Sequence, residues 1–202
     1  IQYLDWIEHP GANWIRKQDY AGPYSPKKYV YYKSQENSLT DGSSWTRGYA
    51  TMNYNIMRFA DVLLMAAEAE IEAGSLAKAL EYVNLVRARA ANKAGFVMKG
   101  GVAEANYDIA LYTSFADKTA ATKAVRMERL LELATEGHRF FDLVRWGIDV
   151  PTLNAYLAYE SKTLVTKFGG ATYQATDKYL PIPQQQIDIQ GTAVLKQNPG
   201  YN

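Results

Sequence analysis

The chain has 202 residues, 48% of them hydrophobic and 21% charged, with a formal net charge of +1. That is the composition of a globular protein with room for one sizeable core, and the near-neutral balance gives no electrostatic reason to expect nucleic acid or an anionic membrane surface. Cysteine is absent, which excludes disulfides, a thiol nucleophile and thiolate metal ligands, and no apolar run approaches the roughly 20 residues of a membrane span.

The chain opens at Ile1 without a leader, so it is expected to be processed or to be a piece of something longer. Residues 1–54 are irregular and rich in aromatics. Turn formers are scattered through them, as at His9-Pro10-Gly11, Gly22-Pro23 and Asp41-Gly42. Tyr29-Val30-Tyr31-Tyr32 is the one run of strand-like composition. A structureless stretch of about fifty residues is rare inside a compact domain. It is expected to lie over a core, held there by its rings.

Residues 55–91 read as two helices. The first, NIMRFADVLLMAAEAEIEA over 55–73, is dense in strong helix formers. Gly74 is a natural stop and Ser75 a natural cap. The second helix places Leu76, Ala79, Leu80, Val83, Val86 and Ala90 on one face. So short a link makes an antiparallel hairpin. It fits a tetratricopeptide pattern loosely, with small Ala67 and Ala79 where the helices approach and Leu63, Val83 and Val86 at packing positions. A single such hairpin cannot bury both faces, and no second copy is present.

Residues 92–121 carry little pattern. Gly95, Gly100 and Gly101 mark a loop, and residues 107–115 fit either a short helix or a strand. One long central helix is expected over 119–147. Within it Arg126, Arg129, Glu132, Glu136, Arg139, Asp142 and Arg145 recur in steps of three or four, on one side. The other sides are apolar, so the helix is expected to be largely buried and its charges to neutralise one another as a ladder. Arg58, Asp61 and Glu68 are the expected partners on the hairpin. Residues 148–202 then hold a helix starting near Asp149 and Pro151. A strand is expected over 163–168, an extended path through Pro181 and Pro183, and a helical turn over 184–189.

Five blocks in this order carry a resemblance: RFADVLLMAAEA (58–69), VNLVRAR (83–89), ERLLELATEGHRFFDLVRWG (128–147), YLPIP (179–183) and QNPGY (197–201). Together they resemble the C-terminal part of the SusD/RagB family of outer-membrane nutrient-binding lipoproteins. The resemblance implies a mainly α fold with tetratricopeptide-like hairpins, packed helices, long irregular loops and few short strands, incomplete without an N-terminal part. It implies a lipid-anchored protein at the cell surface whose anchor is outside this chain. Such a protein captures oligo- or polysaccharide, or another nutrient, and passes it to a SusC-like TonB-dependent transporter. Residues 1–202 would then form the C-terminal part of one SusD-like domain.

Candidate chemistry points the same way. Glu128, Glu132 and Glu136 invite comparison with paired glycosidase carboxylates, but interleaved arginines would keep them ionised rather than raise one for acid duty. His9 and His138 have no metal-ligand spacing, and no nucleophile elbow or phosphate loop is present. No catalytic residue, metal site or cofactor is therefore expected. Sugar rings pack their C–H faces on Trp and Tyr while Asn and Arg bond the hydroxyls. On that basis Trp6, Asn13, Trp14, Arg16 and Tyr24 are the candidate ligand-binding residues. Trp45 and Tyr54 are expected to be buried anchors, and Trp146 to pack in the core. The alternative is a helical-repeat module that binds protein rather than sugar.

Overall fold

The computed structural model of the chain describes residues 26, 28, 29, 35–39 and 53–201. It divides the chain into two compact units, Ile1–Arg139 and Phe140–Asn202. The described residues are mainly helical.

In the first unit a one-turn helix α1 (Glu36–Leu39) precedes α2 (Phe59–Ala73) and α3 (Leu76–Ala90). The two long helices pack as the hairpin that their sequence requires. Glu70 folds its carboxylate over the end of α2 and accepts from the Ser75 N–H at 2.9 Å. A Cβ on Gly74 would collide with that carboxylate. Ser75 in turn caps α3, its Oγ accepting from Ala77 N at 3.2 Å. Ala67 and Ala79 are fully buried, so the two backbones approach at small side chains. A third helix, α4 (Lys118–Glu132), lies against both. Asp117 caps it, accepting from Ala120 N at 2.7 Å. Ala121 and Val125 of α4 close a core formed with Ala60, Leu64 and Ile71 of α2 and Val83 and Val86 of α3.

Between α3 and α4 lie a 3₁₀ turn (Lys93–Gly95) and a two-residue ladder, β1 (Met98–Lys99) with β2 (Val102–Ala103). Gly100 and Gly101, both at positive φ, form its tight turn. Phe96 and Tyr107 stack at its base, 4.0 Å between ring centres. Residues 107–115 are neither helix nor strand, in contrast to the expectation. Side chains of α3 take the place of a neighbouring strand. Asn84 donates to Tyr112 O at 2.8 Å and accepts from Tyr112 N at 2.9 Å. Arg87 Nε donates to Ala110 O at 2.6 Å.

The expected single helix over 119–147 is two helices. α4 ends at Glu132 and α5 (His138–Arg145) begins six residues later. Thr135 (φ 67°) and Gly137 (φ 84°) sit in the left-handed region, which no α-helix continues through. The periodic charges run across this break without signalling it.

In the second unit α6 (Asp149–Glu160) is followed by α7 (Val165–Phe168) and α8 (Gln184–Gln190). The strand expected at 163–168 is instead the short helix α7. Phe168 N bonds Leu164 O and Gly169 N bonds Val165 O, both at 2.9 Å, so the chain satisfies itself locally where no neighbouring strand is at hand. Asn154 of α6 brackets Tyr173, accepting from its N–H and donating to its carbonyl, each at 2.8 Å. Gln197 brackets Ile182 in the same way at 2.7 and 2.9 Å. Ile182 lies between two prolines and so offers the N–H that they lack.

Candidate functional site

The five residues expected to contact ligand, Trp6, Asn13, Trp14, Arg16 and Tyr24, lie outside the described residues, as do Trp45 and His9. Tyr54 was expected to be buried, and is 63% exposed. Its ring stacks on Tyr29 at 4.7 Å. Trp146 is half-buried, with the Arg145 guanidinium 4.9 Å from its ring centre.

What the structure does assemble is a cluster of charges where α2 begins and α4 ends. Arg58, in extended backbone just before α2, presents its whole fork to two glutamates. Nε and Nη2 grip both oxygens of Glu136 at 2.9 and 2.7 Å. Nη1 donates to Glu132 Oε1 at 2.8 Å and Nη2 to Glu132 O at 3.0 Å. Arg89 of α3 bonds the other oxygen of Glu132. Lys28 adds a cation from the segment before α1, reaching Glu136 Oε1 and two backbone carbonyls. Deeper in the unit Arg129 Nη1 meets Asp61 Oδ1 at 2.7 Å, both side chains nearly without solvent. Glu128, which the expected ladder leaves out, is buried and takes Arg87 Nη1 at 2.7 Å.

The electrostatics follow from these contacts. Burial pushes the Glu136 carboxyl upward, but the hydrogen bonds from Arg58 and Lys28 outweigh it, and the group sits below the usual glutamate range. Arg58 is raised, chiefly by its bond to Glu136. Glu136 is thus an acceptor held in its ionised form. It cannot serve as a general acid, which needs a proton near neutral pH. The cluster ties three helices together through its ion pairs.

The seven-membered ladder is thus placed in two parts. Arg129, Glu132 and Glu136 act across helices within the first unit. In the second unit Asp142 is buried and Arg145 Nε donates to it at 2.9 Å. Arg126 and Arg139 are both half-buried. Sequence reasoning missed Lys28, Arg87 and Arg89 as partners. Arg87 and Arg89 stand in the VNLVRAR block, so a signal was present for those two.

Beside the cluster an open cleft of about 380 Å³ lies between α2 and α3. Phe59, Leu63, Leu85 and Val86 line it, with Arg58 and Arg89 at its edge. Among the described residues no group of three or more His, Cys, Asp or Glu could hold a metal ion, and no helix is long and apolar enough to cross a membrane.

Residues 7–201 match the model of the SusD family. The chain is 34% identical over 140 residues to SusD-like protein P25 of Formosa agariphila, covering 68% of this chain and 22% of that protein. It is 29% identical over 181 residues to SusD-like protein P2 of the same organism, covering 89% of this chain and 30% of the relative. It therefore spans less than a third of the length of either. Among solved structures, a SusD superfamily protein from Bacteroides vulgatus aligns at 30% identity and a TM-score of 0.44, over 66% of this chain and 25% of that one.

Proposed function

This chain belongs to the SusD family, and we propose from that premise that it is the C-terminal part of a nutrient-binding protein that captures oligo- or polysaccharide. Capture works by stacking of aromatic rings on sugar faces and by polar contacts to hydroxyls, without covalent chemistry. Trp6, Asn13, Trp14, Arg16 and Tyr24 carry the contacts. The whole protein sits at the cell surface of the outer membrane on a lipid anchor and passes its cargo to a SusC-like TonB-dependent transporter. The observation that carries the reading is the match of the family model to nearly the whole chain. The Glu136 carboxylate, held ionised by Arg58 and Lys28, supports binding over hydrolysis, because it is not poised to donate a proton.

The test is a glycan array on the intact protein, followed by Trp14→Ala. The variant should retain the best ligand about tenfold less well, the usual scale for a stacked ring at the centre of a site. Unchanged retention takes Trp14 out of the site. Retention of no glycan by the wild type defeats the sugar reading and favours a helical module that binds protein. Co-purification of a TonB-dependent transporter from detergent-extracted membranes checks the partner separately.

A further inference from the structure

We infer that Lys28 is a positioning residue: its ammonium latches the stretch around Lys28 and Tyr29 onto the end of α4. Three acceptors meet the three Nζ–H donors. They are Glu132 O at 2.6 Å, Ala134 O at 2.9 Å and Glu136 Oε1 at 2.5 Å. An ammonium has three donors and no more, so its hydrogen-bonding capacity is filled.

The acceptors are not incidental. Because α4 stops at Glu132, its last carbonyls, Glu132 O among them, have no helical amide four residues on, and Ala134 O lies in the turn just beyond. The last helical carbonyls also form the negative end of the helix dipole, where a cation is stabilised. The Glu136 side chain is only 2% exposed, and Arg58 holds it from the other side. Lys28 therefore plugs into a site that the helix break creates and that Arg58 pre-organises.

The neighbouring residue takes a second, independent grip. Tyr29 stacks on Tyr54, and its hydroxyl donates to Asn55 O at 3.3 Å, at the approach to α2. Tyr29 has φ 58°, a backbone state that a bulky L-residue holds only where surrounding contacts outweigh its cost. Two consecutive side chains thus reach the frame at two places, the end of α4 and the entry to α2. Arg58 joins those places through Glu132 and Glu136.

Limited chymotrypsin digestion of the intact protein tests the latch on wild type, Lys28→Met and Lys28→Arg. Cleavage after Tyr29 is followed by mass, with cleavage after the exposed Tyr159 of α6 as internal reference. Lys28→Met should be cut after Tyr29 about tenfold faster with the reference unchanged, because losing charge-assisted bonds raises the locally open population by about that factor. Lys28→Arg keeps the charge but offers a planar fork to acceptors arranged for an ammonium, so its rate should fall between the two. Equal rates after Tyr29 overturn the latch. Acceleration at both sites overturns its local character.

A second readout rests on the proposed function. Lys28→Met, a position outside the proposed ligand contacts, should also lower glycan retention, because those contacts, Tyr24 among them, precede Lys28 in the sequence. Faster cleavage with full retention overturns the positioning role. If no form of the protein retains glycan, the sugar reading fails, and the digestion still decides the latch.

Discussion

The two units reach order by different means. The first buries apolar side chains from three helices, among them Leu64, Ala67, Val83, Val86 and Val125, and threads buried ion pairs between those helices. The second buries few apolar side chains, Leu143 and Ile187 among the described residues. Its loops are instead held by amide side chains that bracket backbone groups: Asn154 on Tyr173, Gln197 on Ile182, and Asn198 Nδ2 on Leu180 O at 2.7 Å. Burial is non-directional and collective, whereas each bracket fixes one loop at one place. The contrast teaches where each unit should be fragile: the first at any break in its desolvated interior, the second at single amides.

The largest effect should come from Arg129→Met. Arg129 and Asp61 are 4% exposed each, and removing the cation strands a carboxylate in the core. The expected loss is about 3–5 kcal/mol, the usual cost of breaking a buried pair from one side. Urea unfolding followed by circular dichroism reads it directly. The double variant Asp61→Val/Arg129→Met should recover much of the loss, since an apolar replacement leaves no charge to strand. A double variant as unstable as the single one would mean that burial of the charge is not what makes this site fragile.

Asn154→Ala should cost less, about 2 kcal/mol, because it strips one donor and one acceptor from Tyr173 without burying a charge. Amide exchange at Tyr173 and Gln174 should rise with it. If Asn154→Ala proves as costly as Arg129→Met, the contrast between the units collapses.

Much of the first unit was legible in the sequence because its signals are local. Gly74-Ser75 names the turn of the hairpin, and Ala67 and Ala79 name the close approach. Arg58 and Asp61 were readable as partners of the later charges because all lie on strongly periodic stretches. The break between α4 and α5 was not read. Seven charges keep one period across it, and the single glycine there, Gly137, is outweighed by the apolar residues around it. The path of 107–115 was hidden for another reason: it is set by Asn84 and Arg87, side chains on a helix already finished. Lys28 was beyond reach, because its acceptors lie 104 to 108 residues away and two of them are backbone oxygens. Local pattern announces a cap or a turn, but not which distant cation fills a helix end.

The smallest effect tests whether a bracketed loop also depends on a proton. Tyr173 donates its hydroxyl to Asp149 Oδ2 at 3.0 Å. Burial first, and then the bond and charge of Asp149, push the phenol up from 10.0 to about 12. Between those values the unfolded chain has lost the proton and the folded chain still holds it. The unfolded state then binds fewer protons, so stability falls as pH rises across that window and is fully present below it. Tyr173→Phe keeps the ring that Phe140 meets edge-on at 6.3 Å but has no proton to lose. It should be weaker than wild type by about 1 kcal/mol at neutral pH, and the two stabilities should converge as the pH climbs from about 10 towards about 12. Urea midpoints taken in pairs along that range isolate the effect, because the other tyrosines titrate in both proteins and cancel in the difference. Curves that stay parallel would mean that the bond to Asp149 is not what holds this phenol, and that Asn154 orders the loop alone.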